Sequence, residues 1–328
     1  MKQMRQFLTT LSLVWIAACI AAYLYSHQQH ISSSIALAVV PAFLVELAFY
    51  LAPGFPAARE KFDALGSKPL RAALLSASGV LPYLMETSRT GTFHLIYLLE
   101  LLGVVVVAAF WYAWVPRGIV PDLIFLGFMA AVYLSSLFDQ VYGHPAPHAA
   151  LGILGKLMWI RLGLMAVLSL RPLEDARFGF VPSPQDWRVG VQHYLYFLPV
   201  GAALGYWERF ARFHPQPLEL WKFLALLVGT FAGILWVVAL AEEFFFRAFL
   251  QQVLARRAHS ETFGLLAASL LFGLAHLPFR GFPNWRAASM AAVLGLFCGL
   301  ALIKARSVKA SMVTHALVVT TWRMFFTT

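Results

Sequence analysis

Hydrophobic runs of about 18 residues or more recur from one end of this 328-residue chain to the other. Each is long enough to cross a hydrocarbon layer about 30 Å thick. Inside lipid, a backbone satisfies its polar groups only as a helix or in a closed barrel. The runs are continuous and lack the two-residue alternation of barrel strands, so the expected fold is all-α, a polytopic transmembrane helical bundle. Only 12% of the residues are charged, whereas soluble domains carry about a quarter. About ten or eleven spans are expected, at 7–26, 31–53, 72–86, 92–115, 122–142, 149–170, 189–207, 218–249, 262–278, 286–304 and 309–326. The third is short and holds Gly79 and Pro82, so it is expected to be tilted or re-entrant.

The net charge is +10, concentrated in short loops between runs. That arrangement suits membrane topology and anionic headgroups, and no nucleic-acid partner is expected. Clusters at Arg59, Lys61, Lys68 and Arg71, at Arg171, Arg177 and Arg188, at Arg256 and Arg257, and at Lys304, Arg306 and Lys309 would share the cytoplasmic side. Arg209, Arg212, Arg280 and Arg286 run against this pattern. Two basic residues, Lys2 and Arg5, precede the first run, which reads as a retained helix because it is longer than a signal-peptide core. Cys19 and Cys298 lie in apolar runs and belong to no CxxC pair, so packing is their expected role. The polar stretch from Arg171 to Gln192, with Pro172, Glu174, Asp175, Pro182, Pro184 and Trp187, divides the chain into an N-terminal helical region, 1–188, of no assigned role and a C-terminal region, 189–328.

Ionisable groups within membrane runs are costly and are functional candidates by default. The segment Glu242-Glu243-Phe244-Phe245-Phe246-Arg247 places two carboxylates and an arginine in an apolar helix. Residues four apart share a face, so Glu243 can pair with Arg247, while Glu242, turned about 100° away, stays free. A free carboxylate in an apolar pocket suits acid–base work. His276 follows at the end of an apolar run, in Phe272-Gly273-Leu274-Ala275-His276, and His315 lies within another. Either histidine alone would more simply be a packing residue. Glu, His and His on three separate helices can converge in a bundle interior, where they can activate a water or hold a zinc ion. Neither HExxH nor GxSxG occurs.

These segments resemble the CPBP intramembrane protease family, which includes the type II CAAX prenyl endopeptidases, bacterial homologues and bacteriocin-immunity relatives. The family's EExxxR, FxxxH and HxxxN/D motifs correspond to Glu242-Glu243 to Arg247, Phe272 to His276, and His315 onward. The resemblance covers roughly 215–326. It implies an intramembrane endopeptidase that hydrolyses a peptide bond of a membrane-associated peptide or protein, most simply in a bacterial inner (plasma) membrane. Glu242 would be the general base, His276 would hold the water and His315 would stabilise the oxyanion, with Glu243 and Arg247 in support. No cofactor is favoured. Were zinc used, Glu243, His276 and His315 would be the candidate ligands. The chain departs from the family at Val319, which stands where the last motif has Asn or Asp. Thr314, Thr320, Thr321 or Trp322 could supply the missing donor. Otherwise the chain would be an inactive scaffold or immunity-type protein on the same fold. A proton-relaying transporter ranks third, because no internal repeat is evident. Asp139 and Arg161 could pair across helices, or the Lys and Arg side chains could snorkel, and Glu100 has no assigned role.

Overall fold

The computed structural model describes residues 2–171, 173 and 178–327. Pro172, Glu174, Asp175 and Arg177 therefore lie outside the described residues. The chain divides into two compact units, Met1–Leu173 and Glu174–Thr328. The boundary expected at 188/189 falls inside a helix, Pro184–Trp207. That helix starts early because Ser183 and Asp186 close a reciprocal cap. The Ser183 hydroxyl accepts from the Asp186 N–H, and the Asp186 carboxylate accepts from the Ser183 N–H at 2.7 Å.

The first unit contains α1 (Lys2–Gln28), α2 (Ser33–Leu51), a short α3 (Pro56–Asp63), α4 (Lys68–Thr90), α5 (Leu95–Trp114), α6 (Ile119–Leu134), α7 (Leu137–Val141) and α8 (Gly152–Leu170). Two expectations change here. The segment around Gly79 and Pro82 is one continuous helix of 23 residues. It tolerates Gly79 because a Cβ there would sit 2.8 Å from Val105, so the glycine permits close helix contact. The run at 122–142 is broken instead. The Leu137 N–H donates to the Ser135 hydroxyl at 3.3 Å, which supports a new start after Ser136.

The polar centre of this unit is Arg161. Its guanidinium grips both oxygens of Glu46, at 2.7 and 3.1 Å, and donates to the Ser78 hydroxyl and carbonyl at 2.8 Å each. The expected Asp139–Arg161 pair does not form. Asp139 meets Lys156 at 3.3 Å, and Glu46, fully buried on α2, takes the arginine. Glu100 is exposed on the surface of α5.

The second unit contains α9 (Pro184–Trp207), α10 (Leu220–Ala258), α11 (Glu261–Ala275), α12 (Trp285–Ala305) and α13 (Val308–Phe325). Two residue pairs, Arg212–Phe213 and Phe326–Thr327, form a small antiparallel ladder. Tight helix crossings rest on small residues. A Cβ at Gly273 would lie 2.5 Å from the Ala288 carbonyl oxygen, and one at Gly190 would lie 2.6 Å from Val313. Among the described residues, six helices are long and apolar enough to cross a membrane: Gln3–Gln28, Ser33–Gly54, Leu95–Trp114, Gly152–Leu170, Leu220–Ala258 and Trp285–Ala305. Ile119–Leu134 and Glu261–Ala275 are shorter apolar helices. The remaining expected spans lie on helices such as α9, which opens with Asp186 and Arg188 and carries His193. The architecture is that of a polytopic all-α membrane protein.

Candidate active site

The site is built on α10, and the helix is not regular there. Ile234–Ala239 and Phe244–Gln251 are wound as wide π turns, and Leu240–Glu243 is a four-residue α segment between them. Such turns inside α-helices are frequent at functional sites. The two carboxylates leave this short segment in different directions. Glu243 is fully buried, whereas the Glu242 side chain keeps 31% of its exposure.

Glu243 is consumed by two partners. Its Oε1 lies 2.7 Å from His315 Nδ1. Its Oε2 lies 3.2 Å from Arg247 Nε, an ionic contact without hydrogen-bond alignment. Arg247 is also fully buried, and its nitrogens find no hydrogen-bond partner among the described residues. Aromatic faces hold it instead, with the guanidinium carbon 4.3 Å from the centroid of Phe272 and 5.8 Å from that of Phe246. Arginine suits such a place because its planar, weakly hydrated group stacks on rings. Gly295 on α12 makes room, since a Cβ there would meet Arg247 Nη2 at 2.9 Å.

The two histidines are oriented by the same logic. An ionised carboxylate and a backbone carbonyl can only accept. His315 therefore donates Nδ1–H to Glu243, and His276 donates Nδ1–H to the Phe272 carbonyl at 2.8 Å. Both Nε2 atoms are left to face Glu242. Its Oε2 stands 3.7 Å from His315 Nε2 and 4.0 Å from His276 Nε2. These separations are too long for direct hydrogen bonds and suit one small species held among three groups. The structure thus brings Glu242, His276 and His315 to one point at a partly open rim, with Glu243 and Arg247 beneath them.

The chemistry of the three atoms limits what they can hold. A carboxylate oxygen and two imidazole nitrogens with their lone pairs are all acceptors. A water can donate to two of them, and the third then takes a proton of its own. Zinc takes about three such ligands and a water, but Glu242, His276 and His315 do not draw together as a metal-ligand group among the described residues. The set named from sequence, Glu243, His276 and His315, does not gather among the described residues, because Glu243 is turned to Arg247 and to the far nitrogen of His315. Glu243, Cys298 and His315 do present ligand atoms within 4.8 Å of one another. Arg247 beside them opposes any added cation.

Two residues named in the sequence without a site role take part. Cys298 is fully buried beside Glu243 and His315. Phe272 is the shared surface of the site: its ring centroid lies 4.6 Å from that of His276, 5.0 Å from Phe246 and 6.0 Å from His315. The signal for Phe272 was its place four residues before His276. Around Val319, Thr314 donates to the Gly190 carbonyl at 3.0 Å and Thr321 bonds Tyr194 at 2.8 Å. Trp322 packs with Phe210 and Phe326. Thr320 keeps a buried hydroxyl with no partner among the described residues. Val319 itself packs with Val318 against Phe197, Leu294 and Cys298.

In the second unit, then, a partly exposed carboxylate faces two oriented imidazoles. Residues 221–321 match the family model described as Type II CAAX prenyl endopeptidase Rce1-like, a protease family. The match spans about a third of the chain and supports the CAAX-protease-like family for it. No curated protein and no solved structure matches the chain.

Proposed function

We propose that the chain is an intramembrane endopeptidase in which Glu242 is the general base. The observation that carries this reading is the approach of both imidazole Nε2 atoms to Glu242 Oε2, at 3.7 and 4.0 Å. A water placed there donates to Glu242 and to His276 Nε2. Glu242 takes its proton as the oxygen attacks the scissile carbonyl, and then passes the proton to the leaving amine. His315 carries the proton the third position needs, and Glu243 on its Nδ1 stabilises that imidazolium, as a buried carboxylate does for other catalytic histidines. His315 Nε2–H then donates to the oxyanion. Arg247 and His315 hold Glu243 in place. This is a glutamate-type reaction. The substrate is a peptide or protein segment in the membrane, and a bacterial inner membrane is the proposed location.

The test is turnover by the full chain in lipid nanodiscs. Glu242→Gln should lower kcat by at least about 10²-fold, the usual contribution of a general base, with unchanged thermal stability. Turnover at the wild-type rate in that variant would sink the reading. Val319 supports a second reading, an inactive scaffold on the same fold, because an apolar side chain stands where the resemblance implies a polar one. Turnover that is absent in the wild type and present in Val319→Asn would favour it.

A further inference from the structure

The helix that carries Glu242 and Glu243 is wound wide on both sides of them, and one loop touches both places. The wide turns are Ile234–Ala239 and Phe244–Gln251, with Leu240–Glu243 between them. Such winding is rare in helices, so contacts from outside the helix have to select it. Those contacts come from Phe178-Gly179-Phe180, shortly before α9. The indole N–H of Trp236, in the first wide turn, donates to the Phe180 carbonyl at 2.9 Å. The Phe178 ring meets Phe244, the first residue of the second wide turn, with centroids 5.1 Å apart and planes at 71°. That edge-to-face arrangement is a favoured one for aromatic pairs. Phe178 and Phe180 also meet each other edge to face, at 6.0 Å. Both are buried although their segment has no regular secondary structure, and Phe244 is fully buried beneath them.

The later loop residue touches the earlier turn, so the segment runs antiparallel to α10. Its two points of contact, Trp236 and Phe244, bracket both glutamates in the sequence. The bracket matters because a wide turn holds one extra residue. If a wide turn moved along the helix past Glu242, that residue would shift by one position, about 100° of rotation. Its carboxylate would leave the point where it stands 3.7 and 4.0 Å from the two imidazoles. We propose that Phe178 and Phe180 form a strap that keeps both wide turns where they are, and that Phe178 and Trp236 are positioning residues for Glu242. They act through the backbone of Leu240–Glu243. The effect on turnover rests on the endopeptidase reading; the strap itself does not.

The experiment compares variants of the full chain in lipid nanodiscs by two readouts, backbone amide hydrogen exchange and turnover per folded molecule. Trp236→Phe keeps a ring and removes the N–H donor. Phe178→Leu keeps apolar bulk and removes the ring. Trp221→Phe makes the first change again on the same helix, at an exposed position away from the wide turns. Trp236→Phe and Phe178→Leu should each speed exchange across 234–251 by about tenfold, with α11, α12 and α13 unchanged. Each should also lower kcat about tenfold, a barrier change of about 1.4 kcal/mol, with KM within about twofold. Trp221→Phe should alter neither readout. Unchanged exchange across 234–251 in both strap variants overturns the proposal. A rise spread evenly over α10 to α13, or loss of folding in both variants, also overturns it, because the loop would then be general packing. Faster local exchange with wild-type kcat overturns the positioning role. If exchange responds as expected but wild-type protein cleaves no peptide, the endopeptidase reading fails and the strap stands.

Discussion

Adjacent glutamates in this chain have opposite fates, and their neighbours decide which is which. Glu243 is fully buried between His315 and Arg247. Removing one member of a buried ion pair leaves the other charge uncompensated, a cost of about 3–5 kcal/mol. Glu243→Ala should therefore lower thermal stability severely in a detergent melt, whereas Glu242→Gln at the open rim should shift it by less than about 0.5 kcal/mol. Equal effects would contradict the division of labour. The split between the two carboxylates was legible in the sequence, because residues four apart share a helix face. The identity of the third partner was not. That His315 uses Nδ1 on Glu243 and turns Nε2 to Glu242 depends on how α13 rotates, which letters alone do not specify. For the same reason Cys298 reads in sequence only as a packing residue, and its place beside Glu243 and His315 emerges from the fold.

At the scale of elements, the position of His276 depends on how closely α11 crosses α12. Gly273 makes that crossing, with the Ala288 carbonyl oxygen 2.5 Å from where a Cβ would be. Backbone cannot yield as a side-chain tip can. Gly273→Ala should cost about 1–3 kcal/mol and should reduce kcat beyond the loss of folded protein, because His276 moves with its helix. Activity per folded molecule, from a thermal melt and a turnover assay on one sample, checks this. The start of α9 gives a pH signature. Burial tends to raise the Asp186 carboxyl, but the Ser183 hydroxyl and N–H, Ser307 and Lys309 outweigh it and hold the carboxyl below the usual range. A group lowered in the folded state contributes stability above its unfolded value of about 3.9 and loses it as pH falls through the folded value. Wild type should therefore be more stable than Asp186→Asn at pH 7, and the gap should close below about pH 4. A gap that stays constant with pH would assign the effect to packing. The boundary expected at 188/189 falls within this helix, because the polar stretch from Arg171 to Gln192 masks its start.

For the whole molecule, each of the two units is organised round one buried arginine with a bidentate or ionic carboxylate partner: Arg161 with Glu46 in the first, Arg247 with Glu243 in the second. Every candidate site residue belongs to the second. Glu46→Gln should consequently lower the melting temperature while leaving kcat per folded molecule unchanged, as measured by active-site titration of the surviving protein. The membrane class was legible because hydrophobic length recurs along the whole chain. The partners of intramembrane charges on different helices were not. Asp139 with Arg161 was the nearer guess in sequence, but Glu46, on a helix more than a hundred positions earlier, reaches the same guanidinium. Pairing across a bundle is decided by helix adjacency, which hydropathy does not encode.

The two wide turns in α10 have a consequence for insertions and deletions. Glu242 and Glu243 stand on a four-residue α segment between two wide turns. A wide turn accommodates an extra residue, so loss of one residue between Glu243 and Arg247, with a return to regular winding, would leave the helix beyond in register and shift Arg247 relative to Glu243. A relative with such a loss could keep every motif residue in order while its arginine no longer lay under its glutamate. Residue spacing along this helix is therefore as much a part of the site as the residues themselves.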